Sequence, residues 1–168
     1  IDTLDNGDNI LKELETAAKR AKKAAINIAQ QLSERRSSTA AELSAELVKR
    51  AAPLGMPNLR CRIEIDKGKL GHDGFDTVRF LFAFNKNQEP MPLGSTASGG
   101  EISRLMLTLK SIVAERTKLP SIIFDEVDTG VSGDIAGRMG ATMAFVSRYL
   151  QVVAITHLPG IAALGDKH

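Results

Sequence analysis

Three clusters in this chain have the residue types and spacing that chemistry on an anion requires. Ser98-Gly99-Gly100-Glu101 stands directly ahead of Ile102, Leu105, Met106, Leu109, Ile112 and Val113, which recur at helical spacing. Two glycines without a Cβ let backbone N–H groups approach an anion, and a helix N-terminus adds unsatisfied donors and the positive end of a dipole. Ser98 and Glu101 also have the spacing of a capping box, and the two readings are compatible. A chance Ser-Gly-Gly-Glu in a chain of this length has a probability of roughly 0.3%. The second cluster is Ile122-Ile123-Phe124-Asp125-Glu126, an apolar strand ending in two carboxylates. Ligands bind at the strand ends of parallel sheets, and successive side chains point different ways, so one carboxylate can hold Mg²⁺ while the other orients water. A strand running into a polar turn has the same pattern. The third is His157, directly after the next apolar run, Gln151 to Ile155. If those two strands are neighbours, His157 emerges on the same edge as Asp125 and Glu126. A lone histidine there is otherwise a loop residue, so the weight lies on the order and spacing of all three clusters.

The elements that must position these residues fall into an arm, 1–52, and a lobe, 53–168. From Leu4 to Ala52, strong helix formers dominate, with Asp8 as the expected N-cap. Leu4, Leu11, Ala18, Ala25 and Leu32 fall seven apart, with Leu14, Ala21 and Ile28 as a second series, which is the seam of a coiled coil. Small Ala residues on that seam bury little area, so the helix needs a partner segment. The seam falters from Glu34 to Ser38, which predicts a hinge. Residues 8–36 carry seven basic residues against four acidic ones; a solvated helix face accounts for them, and a nucleic-acid contact is the alternative.

Pro53, Gly55 and Pro57 end the arm, and the period changes. Arg60 to Asp66 and Val78 to Phe84 alternate as two strands, joined through Gly68, Gly71 and Gly74 in an antiparallel hairpin. Four of the seven aromatic residues lie between Phe75 and Phe84, where a core is expected ahead of a base-stacking platform. Cys61 reads as a buried strand residue and His72 as a loop residue. After Pro90 and Pro92 the order becomes helix (100–118), buried strand (122–124), helix (134–149) and strand (151–155). That alternation predicts a parallel sheet with right-handed crossovers, so the lobe is α/β with an antiparallel hairpin.

Composition narrows the remaining classes. The chain has 168 residues, net charge +2 and one cysteine. A single Cys excludes an internal disulfide framework, and no Cys/His set is present for a structural zinc. No run of about 18 apolar residues exists to span a membrane. Ile1 is not an initiator methionine, and the expectation is an internal piece of a longer chain.

The three clusters also carry a family resemblance. Ser98 to Glu101 looks like the signature motif of ABC-type ATPases, Ile122 to Glu126 resembles their Walker B strand, and His157 sits where their switch histidine does. Three stretches are closely similar to the RecN family of bacterial DNA repair proteins, SMC-like ATPases: 97–107 from Ala97, 123–133 from Ile123, and 155–162 from Ile155. Leu32-Ser33-Glu34-Arg35-Arg36 and Leu54-Gly55-Met56 resemble it too, so the likeness covers nearly the whole chain.

The resemblance implies an ABC-type ATPase head in which Ser98, Gly99 and Gly100, with Glu101 completing the motif, bind the γ-phosphate of ATP held by a partner lobe. It implies Asp125 as the Mg²⁺ ligand, acting through water, Glu126 as the group that positions or deprotonates the attacking water, and His157 as a γ-phosphate sensor. These are the donors, metal ligand and base that phosphoryl transfer needs. The partners implied are the N-terminal P-loop half of the same protein, a second copy in an ATP-dependent homodimer, and DNA, with no membrane; the location implied is the bacterial cytoplasm, at the nucleoid. Two departures stand out. No Gly-x-x-x-x-Gly-Lys-Ser/Thr occurs, so the chain reads as the C-terminal half-lobe with the returning end of the coil, inactive on its own. Where many ABC ATPases have Leu-Asp after the Walker B strand, this chain has Val131-Ser132, which leaves the roles of Asp128 and Ser132 open. An ABC-transporter nucleotide-binding subunit shares the motifs but has no use for a heptad arm. A non-enzymatic coiled-coil module would have no need of Ser98, Asp125, Glu126 and His157 together.

Overall fold

A computed structural model of the chain describes residues 2–95, 97–117, 119–125, 127–128, 130–131 and 133–168. Helix α1 is Asp2–Ala51, followed by strands β1 (Arg60–Gly71), β2 (Gly74–Ala83) and β3 (Met91–Pro92). Helix α2 (Gly99–Ala114), strand β4 (Ser121–Asp125), helix α3 (Asp134–Val146), strand β5 (Gln151–Ile155) and the short helix α4 (Pro159–Ala162) complete the order. Two compact units divide the chain: Ile1–Ala41 with Glu64–Val78, and Glu42–Ile63 with Arg79–His168. None of the described helices is long and apolar enough to cross a membrane.

The larger unit takes in residues 53–63 and 79–168 of the expected lobe, together with the end of α1 from Glu42, while 64–78 belong to the smaller unit. Strands β4 and β5 pair in parallel, with Ser121 opposite Gln151 and Asp125 opposite Ile155. Helix α2 packs on α3, and α3 on α4. Phe124, Leu105, Leu107, Met139 and Val146 are fully buried at the centre, and each such side chain contributes about 1.5–3 kcal/mol relative to exposure. The expectation of a buried strand at 122–124 is corrected in one respect. Ile122 and Phe124 point into the core, but Ile123 is 61% exposed, as the neighbouring Ile155 is 51% exposed. Helices cover one face of this ladder, and parallel strands are ordinarily covered on both.

The base of the hairpin joins the same core. Phe82 and Phe84 are buried, as a core reading expects, whereas Phe80 is substantially exposed. The two-residue β3 pairs with β2, Leu81 opposite Pro92 and Phe82 opposite Met91; proline lacks an N–H and is confined to sheet edges, which hides so short a strand in the sequence. Cys61 is half-buried, and burial pushes its thiol up from the ordinary value. Its carbonyl accepts a 2.6 Å hydrogen bond from Ser44 Oγ. The last turns of α1 belong to this unit through buried Leu47 and Ala51, and Arg50 pairs with Glu46 at 2.6 Å and with Glu115 at the end of α2.

In the smaller unit, α1 begins at Asp2, ahead of the expected cap at Asp8, and runs unbroken through the expected hinge. Ser37 Oγ donates to Ser33 O at 2.9 Å and Ser38 Oγ to Arg35 O at 3.0 Å. Hydroxyls bonded back to carbonyls three and four residues earlier are tolerated within a helix at a small cost in stability. The seam falters there because this stretch packs against the hairpin tip. Ser33 Oγ donates to Asp76 Oδ1 at 2.8 Å, and Arg36 Nη1 donates to Asp76 Oδ2 at 3.1 Å and to Asp73 O at 2.9 Å. Ala29 and Ser33 are buried, while the seam residues Leu11, Leu14 and Ile28 are exposed; the side chain of Leu4 lies outside the described residues. The strands are longer than the alternation predicts and meet in a two-residue turn at His72-Asp73. Gly74 follows with φ 95°, and a Cβ there would lie 3.3 Å from Leu32 Cδ2, so glycine serves both the left-handed backbone and the close approach to the helix.

The side chain of Asp76 is wholly buried, with Arg36 28% exposed beside it. Asp76→Ala removes the side-chain acceptor of Ser33 and leaves Arg36 with the Asp73 carbonyl alone, at a cost of about 1–3 kcal/mol. Amide hydrogen exchange at the tip, residues 69–77, is expected to accelerate roughly tenfold or more, with the core amides of β4 unchanged. Unaltered exchange at the tip would refute the anchoring.

Candidate functional site

The N-terminus of α2 is built by its own residues. Ser98 is extended (φ −71°, ψ 158°) and caps the helix. Glu101 N–H donates to Ser98 Oγ at 3.3 Å, Ser98 N–H donates to Glu101 Oε2 at 2.9 Å, and Ser98 Oγ donates to the same oxygen at 2.8 Å. The capping box is therefore formed, and the helix it starts is buried on more than one side, at Leu105, Thr108 and Ile112 and at Leu107, Ser111 and Ala114. Ser98 and Gly99 are exposed. A Cβ built on Gly99 meets nothing within 4 Å, so packing within this chain does not demand glycine there. Gly100 follows in the same first turn.

The register of β4 and β5 fixes the second part of the site. Asp125 is paired with Ile155, the last residue of β5, and His157 lies two residues beyond. The expected neighbourhood of the two strands is thus observed. Asp125 and His157 are both exposed, and Asp125 shares the uncovered face with Ile123 by the alternation of the strand. Glu126, and with it Ser132, lies outside the described residues. Ser98–Glu101 and the Asp125–His157 edge stand at the ends of different elements. Among the described residues no group of three His, Cys, Asp or Glu side chains could by itself hold a metal ion.

Sequence reasoning leaves the role of Asp128 open. This residue is 5% exposed, and its Oδ2 accepts from Thr156 Oγ1, from His157 N–H at 2.9 Å and from Leu158 N–H at 3.2 Å. Burial alone would push its carboxyl up; the hydrogen bonds from Thr156, His157 and Leu158 outweigh it and hold the group below the usual carboxylate range. Val131 N–H closes a turn onto Asp128 O at 3.1 Å, and Val127 and Val131 are buried on either side. Gly133, with φ 59°, then starts α3. The sequence signal for Asp128 is weak, an Asp in a polar turn, because its partners are 28 to 30 residues away. Arg104 on α2 carries no sequence signal either: its Nε is buried and has no hydrogen-bond partner among the described residues.

A carboxyl lowered on folding contributes stability that is present above its unfolded pKa, about 3.9, and is lost as pH falls through the lower folded value. Urea unfolding of the wild type and of Asp128→Asn is therefore expected to differ most at neutral pH, the difference shrinking below about pH 4. A difference that does not change between pH 7 and pH 3 would show that the charge of Asp128 does not contribute.

No protein-family model matches the chain. The chain is 36% identical over 169 residues to the DNA repair protein RecN of Synechocystis sp., covering 99% of this chain and 29% of that protein. It is 47% identical over 100 residues to the RecN of Bacillus subtilis, covering 60% of this chain and 17% of that protein. The chain thus spans less than a third of the length of these curated relatives. Among solved structures, the Smc head domain with an extended coiled coil from Pyrococcus furiosus, bound to the C-terminal domain of ScpA, matches with a TM-score of 0.66 at 18% identity, over 92% of this chain and 38% of that one. An Smc head bound to the C-winged helix domain of ScpA matches with a TM-score of 0.61 at 19% identity, over 84% of this chain and 42% of that one. At these identities the structures speak for the fold, which is that of an SMC-type head with a helical arm. The chain is RecN-like along nearly its whole length and corresponds to a C-terminal portion of such proteins.

Proposed function

We propose that this chain is part of the ATP-binding and ATP-hydrolysing head of a RecN-like protein of DNA double-strand-break repair and recombination, with 1–52 as the coiled-coil arm and 53–168 as the C-terminal lobe. The observation that carries this reading is the pairing of Asp125 with Ile155, which brings a carboxylate and His157 to one end of one parallel ladder. The resemblance to RecN proteins and the SMC-type fold support it. A transporter subunit is disfavoured, because its nucleotide-binding lobe has no use for the 50-residue α1.

In this reading, Asp125 offers Mg²⁺ one carboxylate from the exposed strand end. A single donor fits that ion, which typically takes one or two carboxylates and fills its remaining positions with phosphate oxygens and water. When bound, Mg²⁺ neutralises charge on the phosphates. Glu126 positions or deprotonates the attacking water, and His157 senses the γ-phosphate. Ser98, Gly99, Gly100 and Glu101 serve a nucleotide held by a second copy of the protein, so that two heads close around ATP. The open space over Gly99 and the exposed helix N-terminus support that role.

The triphosphate cradle comes from an N-terminal P-loop half. Support lies in what this lobe leaves open, the apolar face of Ile123, Val153 and Ile155. Such a face calls for further protein against the lobe. DNA is the substrate on which the whole protein acts, in the bacterial cytoplasm.

This chain alone is then expected to show no Mg-ATP binding tighter than roughly millimolar, an energy near −4 kcal/mol. Calorimetry on the folded chain checks this, and micromolar binding would mean that the nucleotide site has been misassigned.

In the full-length protein, the two carboxylates are expected to give opposite phenotypes. Glu126→Gln keeps shape and hydrogen bonding but cannot take a proton, so turnover falls by roughly 10²–10⁴ while the ATP-bound dimer accumulates. Asp125→Asn weakens the metal complex, so the dimer does not accumulate. Hydrolysis rate and the dimer fraction at saturating ATP distinguish them. Equal loss of dimer in both would refute the division of labour, and normal hydrolysis in Glu126→Gln would remove Glu126 from the chemistry.

A further inference from the structure

The ladder that carries Asp125 ends one residue short of Thr156 and two short of His157, because the last pair is Asp125 with Ile155. Beyond that pair, strand pairing no longer fixes the chain. The segment 156–158 is held instead from a different loop. Asp128, three residues past Asp125, turns a buried carboxylate onto the segment, and one oxygen, Oδ2, accepts from the Thr156 hydroxyl and from the main-chain N–H groups of His157 and Leu158. Leu158 N–H also reaches Thr156 Oγ1 at 3.1 Å, which closes a small ring of bonds around the histidine's own peptide. Hydrogen bonds to an ionised acceptor are shorter and stronger than neutral ones, and three converging on one oxygen leave the backbone at 156–158 little freedom.

We propose that Asp128 is the positioning residue for His157: its carboxylate locks the peptide of the histidine to the loop after β4, so that the imidazole is held at a set distance from the strand end bearing Asp125. This deepens the ATPase reading and rests on it, since it gives His157 work at that strand end. Asp128 touches no nucleotide in this scheme and acts through His157. It also ties two loops into one body. The turn made by Val131 N–H on Asp128 O fixes the carboxylate's own backbone, so a displacement of the loop over 127–131 carries the histidine with it. The loop after the paired carboxylates and the loop bearing the histidine therefore move together.

The test is a double-mutant cycle in the full-length protein, with ATP turnover and KM measured for wild type, Asp128→Ala, Asp128→Asn, His157→Ala and the pair Asp128→Ala with His157→Ala. His157→Ala is expected to lower kcat about tenfold or more. Asp128→Ala is expected to lower it by a similar factor, with the KM for ATP within about twofold of wild type. The pair is expected to be no slower than His157→Ala alone, because a residue that acts through the histidine has nothing left to act on. Asp128→Asn presents a neutral oxygen to the same three donors and is expected to recover part of the rate. A residue that merely holds the fold would instead lower kcat in addition to the loss from His157→Ala, and independent losses would overturn the proposal, as would wild-type turnover in Asp128→Ala. If Asp128→Ala does not fold, Thr156→Val removes one donor and keeps the two main-chain bonds. It is expected to give a smaller loss that again vanishes in the His157→Ala background, and a loss that persists there overturns the proposal. Wild-type turnover in His157→Ala is a different failure: it removes His157 from the reaction, and Asp128 loses the role given to it here.

Discussion

A parallel ladder covered on one face is the constraint on which the site depends. Strands β4 and β5 share a five-residue register, and burying Ile122 and Phe124 against the helices dictates which face Ile123 and Asp125 take. Side chains alternate along a strand, so a slip of one residue would send Asp125 into the core and Phe124 to solvent. No carboxylate–carboxylate contact is needed to set the register that places Asp125. Apolar packing sets it, and the end of the ladder determines where the chain is released toward His157. The same packing leaves Ile123, Val153 and Ile155 on an uncovered apolar face beside Asp125, so the surface that needs further protein and the proposed metal ligand are on the same side.

Residues marked by position at an element's end are legible in the sequence. Gln151–Ile155 is delimited there as the strand it is, the β4 run is recognisable one residue short at each end, and the Ser98 box is readable from spacing, because caps and strand ends are local. Asp128 is not readable in that way. Two of its three donors are main-chain N–H groups, which every residue but proline supplies, so no pattern of side chains announces the contact. The hinge expected at 34–38 fails for the same physical reason. Glu34 to Ser38 interrupts an apolar seam, but the interruption reflects a polar partner, Asp76, some forty residues on, not a weak helix.

Those two carboxylates solve one problem in different units. A loop held to its neighbour by apolar contact alone can slide, since hydrophobic attraction has no direction. Asp76, accepting from Ser33 and Arg36, and Asp128, accepting from the 156–158 segment, each fix a direction as well as a distance. Burying a carboxylate is unfavourable unless its oxygens are satisfied. Each is satisfied by several donors, and each therefore tolerates only one arrangement of the loop it holds. The hairpin tip is fixed in this way to α1, and the segment bearing His157 to the loop after β4.

The division of labour at residue 157 depends on which of its atoms are used. Asp128 accepts from the main-chain nitrogen of His157, and the imidazole takes no part in that bond. The position of the peptide and the chemistry of the side chain are therefore separable. Replacing the ring removes the group proposed to meet a phosphate while the N–H remains available to Asp128, whereas replacing Asp128 keeps the ring and releases the peptide that carries it. Two substitutions at the two ends of one hydrogen bond thus remove different things, the group itself and its placement, and a reaction that needs both is lost by either.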